Sequence, residues 1–385
     1  MMSELAETMK EWRHRLHQYP ETAFEEVQTS AFVAERLREM GLQVQEHVGK
    51  TGVVATLRAG EGTRVIGLRS DMDALNLREA GDPPYKSRRD GKMHACGHDG
   101  HMATLLGAAR MLSERRDFSG TVRFVFQPAE EPGKGAQAML DDGLLERFPM
   151  DEIYGLHNMP DFLFGTVHTR RGGFCSSEDD FRIDIHGRGA HSASPHLAAD
   201  PLLTAAEILL ALQTIVSRSV DPTQTAVLSC TELHTDGAQN TLPTNAFLLG
   251  DARCYSPETR ALIEARMRSI CGNLAAMNGA ACTVRYTHAF APTVNWPECT
   301  DAAIRAASEV FGPEHVDGSC PPDTGAEDFG RFLEKIPGCF VFLGSRAREE
   351  DPICSTHSIY FDYNDDLLEP GAEYFAQLIR DRLPL

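Results

Sequence analysis

The chain has 385 residues, 42% of them hydrophobic and 24% charged, and a formal net charge of −19. That length exceeds one ordinary core and points to two domains of globular, enzyme-like composition. The acidic balance excludes nucleic acid and anionic membrane surfaces as partners, because both need a basic footprint.

Helical periodicity runs first over Glu4–Gln18, an amphipathic segment without the apolar centre of a signal peptide. A second helix is predicted over Val27–Met40, with Gly41 as its C-cap. Strand-like runs follow at GVVATLRA (52–59), RVIGLRSDMDAL (64–75) and TVRFVFQPAEE (121–131), with a helix over Met102–Leu112 between the last two. Strands alternating with helices predict an α/β layer with a largely parallel sheet, whose site lies beyond the carboxyl ends of its strands.

Near residue 176 the pattern changes to the polar–apolar alternation of a half-exposed antiparallel strand. A helix over Pro201–Val216, strands near Thr225–Glu232 and Phe247–Cys254, a helix over Thr259–Met277 and the strand CTVRYTHAF complete an α+β insert. After Pro292 the chain returns to helix, loop, strand and a last amphipathic helix. The domains expected are a discontinuous outer one, 1–176 and 290–385, and an inserted one, 177–289. No apolar run approaches the ~20 residues that span a bilayer. The ten cysteines occur singly, with no CxxC pair, as reduced thiols of a cytoplasmic protein do.

Cys96 and His98 lie two apart in a glycine-containing loop before the third helix. Thiolate and imidazole together suit zinc and similar divalent ions. The same residues also read as an ordinary helix start, with Asp99 as N-cap and His101 on the surface, or as a reactive thiol activated by the helix N-terminus. Glu130 and Glu131 follow a strand, so one carboxylate can bind metal while its neighbour takes a proton from water; alone, the pair reads better as a solvated acidic turn before Pro132-Gly133. With His157 and His357, which also sit beside apolar runs, there are five ligand-type residues, about what two metals sharing a water require. Asp71 and Asp73 are candidates for orienting a ligand or the base. On the insert, His191 lies in a glycine-rich loop and could donate to an oxyanion. Asn240 and Arg253 are polar residues on the same insert; Arg253 fits either a substrate carboxylate or a structural salt bridge.

The motifs RSDMDAL, MHACGHDGHMATLLGAA, FQPAEE, GLH, GRGAHSASPH, QNTLP, EDF and HSIYFDYND occur in this order. Over essentially the whole chain they resemble the hippurate hydrolase and indole-acetyl-amino-acid hydrolase branch of the metallo-aminoacylase and carboxypeptidase G superfamily. The resemblance implies a phosphorylase/hydrolase-like catalytic domain with a central mixed, largely parallel sheet and an inserted satellite domain used for dimerisation, giving a homodimer or a dimer of dimers. It implies metal ligands Cys96, His98, Glu131, His157 and His357, Glu130 as general base, His191 as oxyanion donor and Asn240 near the substrate. Two divalent ions are implied, with zinc, manganese, cobalt and nickel all compatible with such ligands. The implied reaction is hydrolysis of N-acetyl or N-benzoyl amino acids. A metal-dependent dipeptidase or carboxypeptidase, a thiol enzyme using Cys96 and a non-catalytic metal-binding protein are the alternatives. Two departures stand out: Asn76 replaces a proline usual after the Asp73 motif, and DTGA precedes Glu327 and Asp328 where serine is commoner before the Glu.

Overall fold

In the computed structural model, which describes residues 3–385, the principal elements in chain order are α1 (Glu4–Gln18), α2 (Val27–Glu39), β1 (Gln43–Val48), β2 (Gly52–Ala59), β3 (Val65–Asp71), α3 (His98–Arg115), β4 (Gly120–Gln127), β5 (Glu152–Leu163), β6 (Val167–His168), β7 (Glu178–His186), β8 (Ala190–His191), α4 (Pro201–Arg218), β9 (Ala226–Thr235), β10 (Thr241–Leu242), β11 (Asn245–Cys254), α5 (Pro257–Met277), β12 (Ala281–Phe290), α6 (Pro297–Phe311), β13 (Val316–Asp317), β14 (Gly338–Arg346) and α7 (Leu368–Arg382). They form two compact units. One comprises residues up to Phe174, Val294–Pro322 and Asp328–Leu385; the other comprises Cys175–Thr293 with Asp323–Glu327.

The first unit is built on an eight-stranded sheet in the order β1-β2-β4-β3-β5-β14-β6-β13. Its central strands β4, β3, β5 and β14 are mutually parallel. β1, β2 and β4 pair antiparallel at one end, and β6 runs antiparallel to β14 at the other. The parallel strands read as near-continuous apolar runs because both faces are covered, and Phe124, Ile66, Tyr154 and Val341 are fully buried. Helix α3 packs against α1, α7 and β3. It is buried on nearly every side, from His98 to Leu112, as expected of a core helix.

α3 starts four residues before the expected Met102. The polar first turn, His98 to His101, hides helical periodicity, yet those side chains find partners inside the protein, so the polar face is also a buried face. Asp99 is therefore not the N-cap; Gly97 is. His101 is 1% exposed and not a surface residue.

The second unit is an antiparallel sheet, β9-β11-β7-β12, whose core joins Phe181, Ile183 and Leu248 to Ile208, Leu212 and Ile215 of α4 and Ile263 and Met267 of α5. Among the described residues α4 is the one helix long and apolar enough, by composition, to cross a membrane. It is a mixed helix that carries Glu207 and Arg218, and no unbroken apolar run of that length occurs in it. The apolarity of α4 has two sides: an inner stripe on the sheet and an outer one in which Leu202, Leu203 and Leu210 are exposed.

Candidate metal centre

The segment between β3 and α3 delivers Cys96 and His98 into the interior through one glycine. Gly97 adopts φ +97, and a Cβ there would lie 2.1 Å from Asn158 Oδ1, so neither the backbone nor the space tolerates a side chain. His98 Nδ1 donates to the main-chain oxygen of Asp73 at 2.8 Å. That places the ring proton on Nδ1 and leaves the Nε2 lone pair facing inward. His157, within β5, repeats the device: Nδ1 donates to the Asn158 carbonyl at 2.6 Å, while Nε2 lies 3.3 Å from Cys96 Sγ.

Glu130 and Glu131 follow β4 across Ala129, a non-glycine residue at φ +48. Such strain persists only where the surroundings overdetermine it. Here the Asp73 carboxylate does so, accepting the N–H of Glu130 at 2.9 Å and that of Glu131 at 3.1 Å. His357 is a second strained residue, φ +64, held by its own N–H to the Ala95 carbonyl at 2.7 Å. Its Nε2 comes within 3.3 Å of Glu131 Oε2. Although Asn76 replaces a proline, the loop after Asp73 is pinned: Leu75 and Met93 exchange both backbone hydrogen bonds.

Among the sets of donor atoms that fall within 4.8 Å of one another are Cys96/His98/His157, Cys96/Glu131/His357 and His98/Glu130/Glu131. They overlap, so all five expected donors and Glu130 share one neighbourhood. His98 Nε2 stands 3.9 Å from an oxygen of each of Asp71, Glu130 and Glu131, too far for a hydrogen bond. This atom and Glu131 Oε1 are buried with no hydrogen-bond partner among the described residues. Burial, then the charge of Glu131, pushes the Cys96 thiol up to about 12. Burial also opposes ionisation of Glu131, but the hydrogen bond from His357 and the nearby His98 hold its carboxyl below the ordinary range. Inward lone pairs, a thiol and clustered carboxylates fit a divalent cation, which satisfies all of them at once.

Behind these donors lie residues that sequence reasoning missed or undervalued. Asp71 accepts from His101 Nδ1 at 2.7 Å and pairs with Arg69 at 2.9 Å. Arg69 and Gln127 both reach Asp328, whose other oxygen accepts the Ala136 N–H, so Asp328 serves the scaffold. A second buried set joins α1 to α3. His17 contacts Asp99 through Nδ1 at 2.8 Å and Glu79 through Nε2 at 3.3 Å. Two carboxylates facing both ring nitrogens require the doubly protonated imidazolium.

Burial works against the charge of His17, as does Arg13, but the hydrogen bonds to Asp99 and Glu79 prevail and raise its pKa to about 9. Its contribution to stability is complete below the unfolded value near 6.5 and is lost as pH rises through the folded value. The stability difference between the parent and His17→Gln should therefore shrink by about 3 kcal/mol from about pH 6 to about pH 9.5 in denaturant titrations. A difference that stays flat across that window would sink the assignment.

In the second unit, His191 and Asn240 become neighbours through the β8/β10 ladder: Thr241 opposes His191, and Ser192 N–H donates to the Asn240 carbonyl. His191 Nδ1 accepts the Ala193 N–H at 3.0 Å, so its proton sits on Nε2, on an exposed ring. Arg253 pairs with Glu178 at 2.9 Å and Asp251 at 3.2 Å and also donates to the Thr324 carbonyl. This is the structural one of its two readings.

Donors carried after β3, β4 and β14 and within β5, on a chain with a separate α+β unit, are those of a metallopeptidase-like hydrolase. The profile of Peptidase family M20/M25/M40 matches residues 67–381, and the chain belongs to that family. It is 39% identical over 369 residues to the hippurate hydrolase of Campylobacter jejuni, covering 95% of this chain and 94% of the relative. It is 38% identical over 371 residues to thermostable carboxypeptidase 1 of Saccharolobus solfataricus, covering 95% and 93%. A dinuclear metal-binding peptidase of the M20 family from Bacillus subtilis superposes with a TM-score of 0.85 at 32% identity, covering 98% of both chains.

Proposed function

We propose that the chain is a metal-dependent amidohydrolase that cleaves N-acyl amino acids, N-acetyl or N-benzoyl ones, to a carboxylic acid and a free amino acid. The observation that carries this reading is the pair of imidazoles, His98 and His157, each with Nδ1 pinned to a carbonyl and Nε2 turned toward the thiol and carboxylates. We assign Cys96, His98, Glu131, His157 and His357 as ligands of two divalent cations drawn from zinc, manganese, cobalt or nickel. Bound there, such ions supply Lewis-acid polarisation of the scissile carbonyl and a water acidic enough to lose its proton near neutrality.

Glu130 takes that proton and returns it to the departing amine. Asp73 aims Glu130 through the backbone N–H bonds at residues 130 and 131. His191 donates its Nε2 proton toward the developing oxyanion, from its own chain or from a second copy, and Asn240 lies on the ladder beside it. The name of the Campylobacter relative favours an aroyl amino acid substrate. That of the Saccharolobus relative supports a second reading, carboxypeptidase action on the same chemistry.

The free state of all ten cysteines supports a reducing, cytoplasmic setting. The outward leucines of α4 support pairing of two copies through the second unit.

A substrate panel on metal-depleted and reconstituted protein tests the proposal. Hippurate and N-acetyl amino acids are expected to turn over with kcat/KM at least about tenfold above dipeptides, a difference of ~1.4 kcal/mol in transition-state binding. Chelation should abolish turnover and added metal restore it. Activity that survives chelation but not thiol alkylation would instead make the chain a Cys96 enzyme.

A further inference from the structure

We propose that Arg13 and His17 of α1 are positioning residues that fix the Cys96–His98 segment and the His357 loop relative to each other. This inference rests on the metal-centre reading above. Arg13 is fully buried and lies beside three carboxylates: Asp99 at 3.5 Å, Asp362 at 3.0 Å and Asp365 at 2.6 Å. Asp99 immediately follows His98, and Asp362 comes five residues after His357. One guanidinium therefore touches both segments that bring donors to the centre. His17 shares the Asp99 oxygen with Arg13 and holds Glu79 with its other nitrogen. Tyr85 closes the arrangement: its ring lies 4.4 Å from the Arg13 guanidinium, and its hydroxyl donates to Asp362 at 2.6 Å. The loop holding Glu79 and Tyr85 is tied to the His357 loop again by Ala80 N–H to the Ile359 carbonyl at 2.9 Å.

Holding α1 in place does not call for this cluster. Met9 and Leu16 already bury α1 in the core, and a buried ion pair is generally no more stabilising than well-packed apolar residues. What a planar, forked cation adds over an apolar side chain is direction. It fixes how the first turn of α3 is rotated, and so where His98 Nε2 points. It also fixes how closely the His357 loop approaches Ala95. Both are determinants of metal affinity, in addition to the stability that the His17 ion pairs supply.

The test is titration of the metal-free protein with Co²⁺ against a competing chelator, read by the near-ultraviolet thiolate-to-cobalt charge-transfer absorption that reports Cys96, with thermal melts of the metal-free forms alongside. Arg13→Met is expected to weaken Co²⁺ binding about tenfold or more, the scale found when groups behind a ligand are removed. Arg13→Lys is expected to recover most of that loss. Asp362→Asn lies at the 45% exposed end of the cluster and leaves the buried groups in place. It is expected to weaken Co²⁺ binding several-fold with little change in melting, and it carries the test should Arg13→Met fail to fold. Variants that bind Co²⁺ as the parent does overturn the positioning role and leave the metal centre standing. A parent that takes up no Co²⁺ overturns both.

Discussion

Glu130→Gln is expected to lower kcat by about 10³-fold while Co²⁺ affinity stays within a few-fold of the parent, on the scale of a removed general base. Glutamine keeps the size and hydrogen-bonding reach of the side chain but cannot accept and return a proton. The separation of the two readouts is what gives the experiment force. Glu130 Oε2 and Glu131 Oε1 stand equally far, 3.9 Å, from His98 Nε2, so distance alone does not say which is ligand and which is base. Their surroundings differ. Glu131 is drawn toward His357, whose hydrogen bond and charge help hold its carboxyl ionised; the Glu130 carboxylate lies within 4.8 Å of an oxygen of Asp328. Glu131→Gln should therefore show the opposite split, losing metal first and activity as a consequence. If Glu130→Gln releases metal and Glu131→Gln does not, the two roles are exchanged. If Glu130→Gln keeps near-parental turnover, water activation by a carboxylate is wrong.

The sequence made the donors legible because thiol, imidazole and paired carboxylates are uncommon beside apolar strand ends, and the parallel sheet was legible because its strands are apolar on both faces. What could not be read is everything that aims those donors. The two carbonyls that set the ring protons of His98 and His157 belong to the backbone of Asp73 and Asn158, and a carbonyl carries no residue-type signal. The strained φ of Ala129 and His357 is equally silent, since neither is a glycine. Periodicity began α3 at its first apolar turn, at Met102, and so placed Asp99 and His101 outside the core. For α1 a signal existed: Ala6, Met9, Arg13 and Leu16 form a single three-to-four-residue stripe, and all four are buried. A cation in the apolar stripe of an amphipathic helix marks an internal partner, and here the partners are Asp99, Asp362 and Asp365.

Asp73→Ala is expected to lower both stability and turnover, and the pattern of loss separates its two functions. The carboxylate satisfies two backbone N–H groups, of a buried Glu130 and a half-buried Glu131. Leaving buried donors without acceptors costs ~1–3 kcal/mol each, so a destabilisation of about 2–5 kcal/mol is expected in chemical denaturation. Asp73→Asn retains one acceptor oxygen but turns its amide toward the other N–H, and should fall between parent and alanine. Turnover should fall further than stability suggests, by about 10²-fold, because a base displaced by ~1 Å loses that much. Metal binding should suffer less than turnover: the atom that pins His98 is the Asp73 main-chain oxygen, which neither substitution removes. Asp73 variants with parental kcat and weakened metal binding would reverse this account, making the carboxylate a support for the ligands and not for the base.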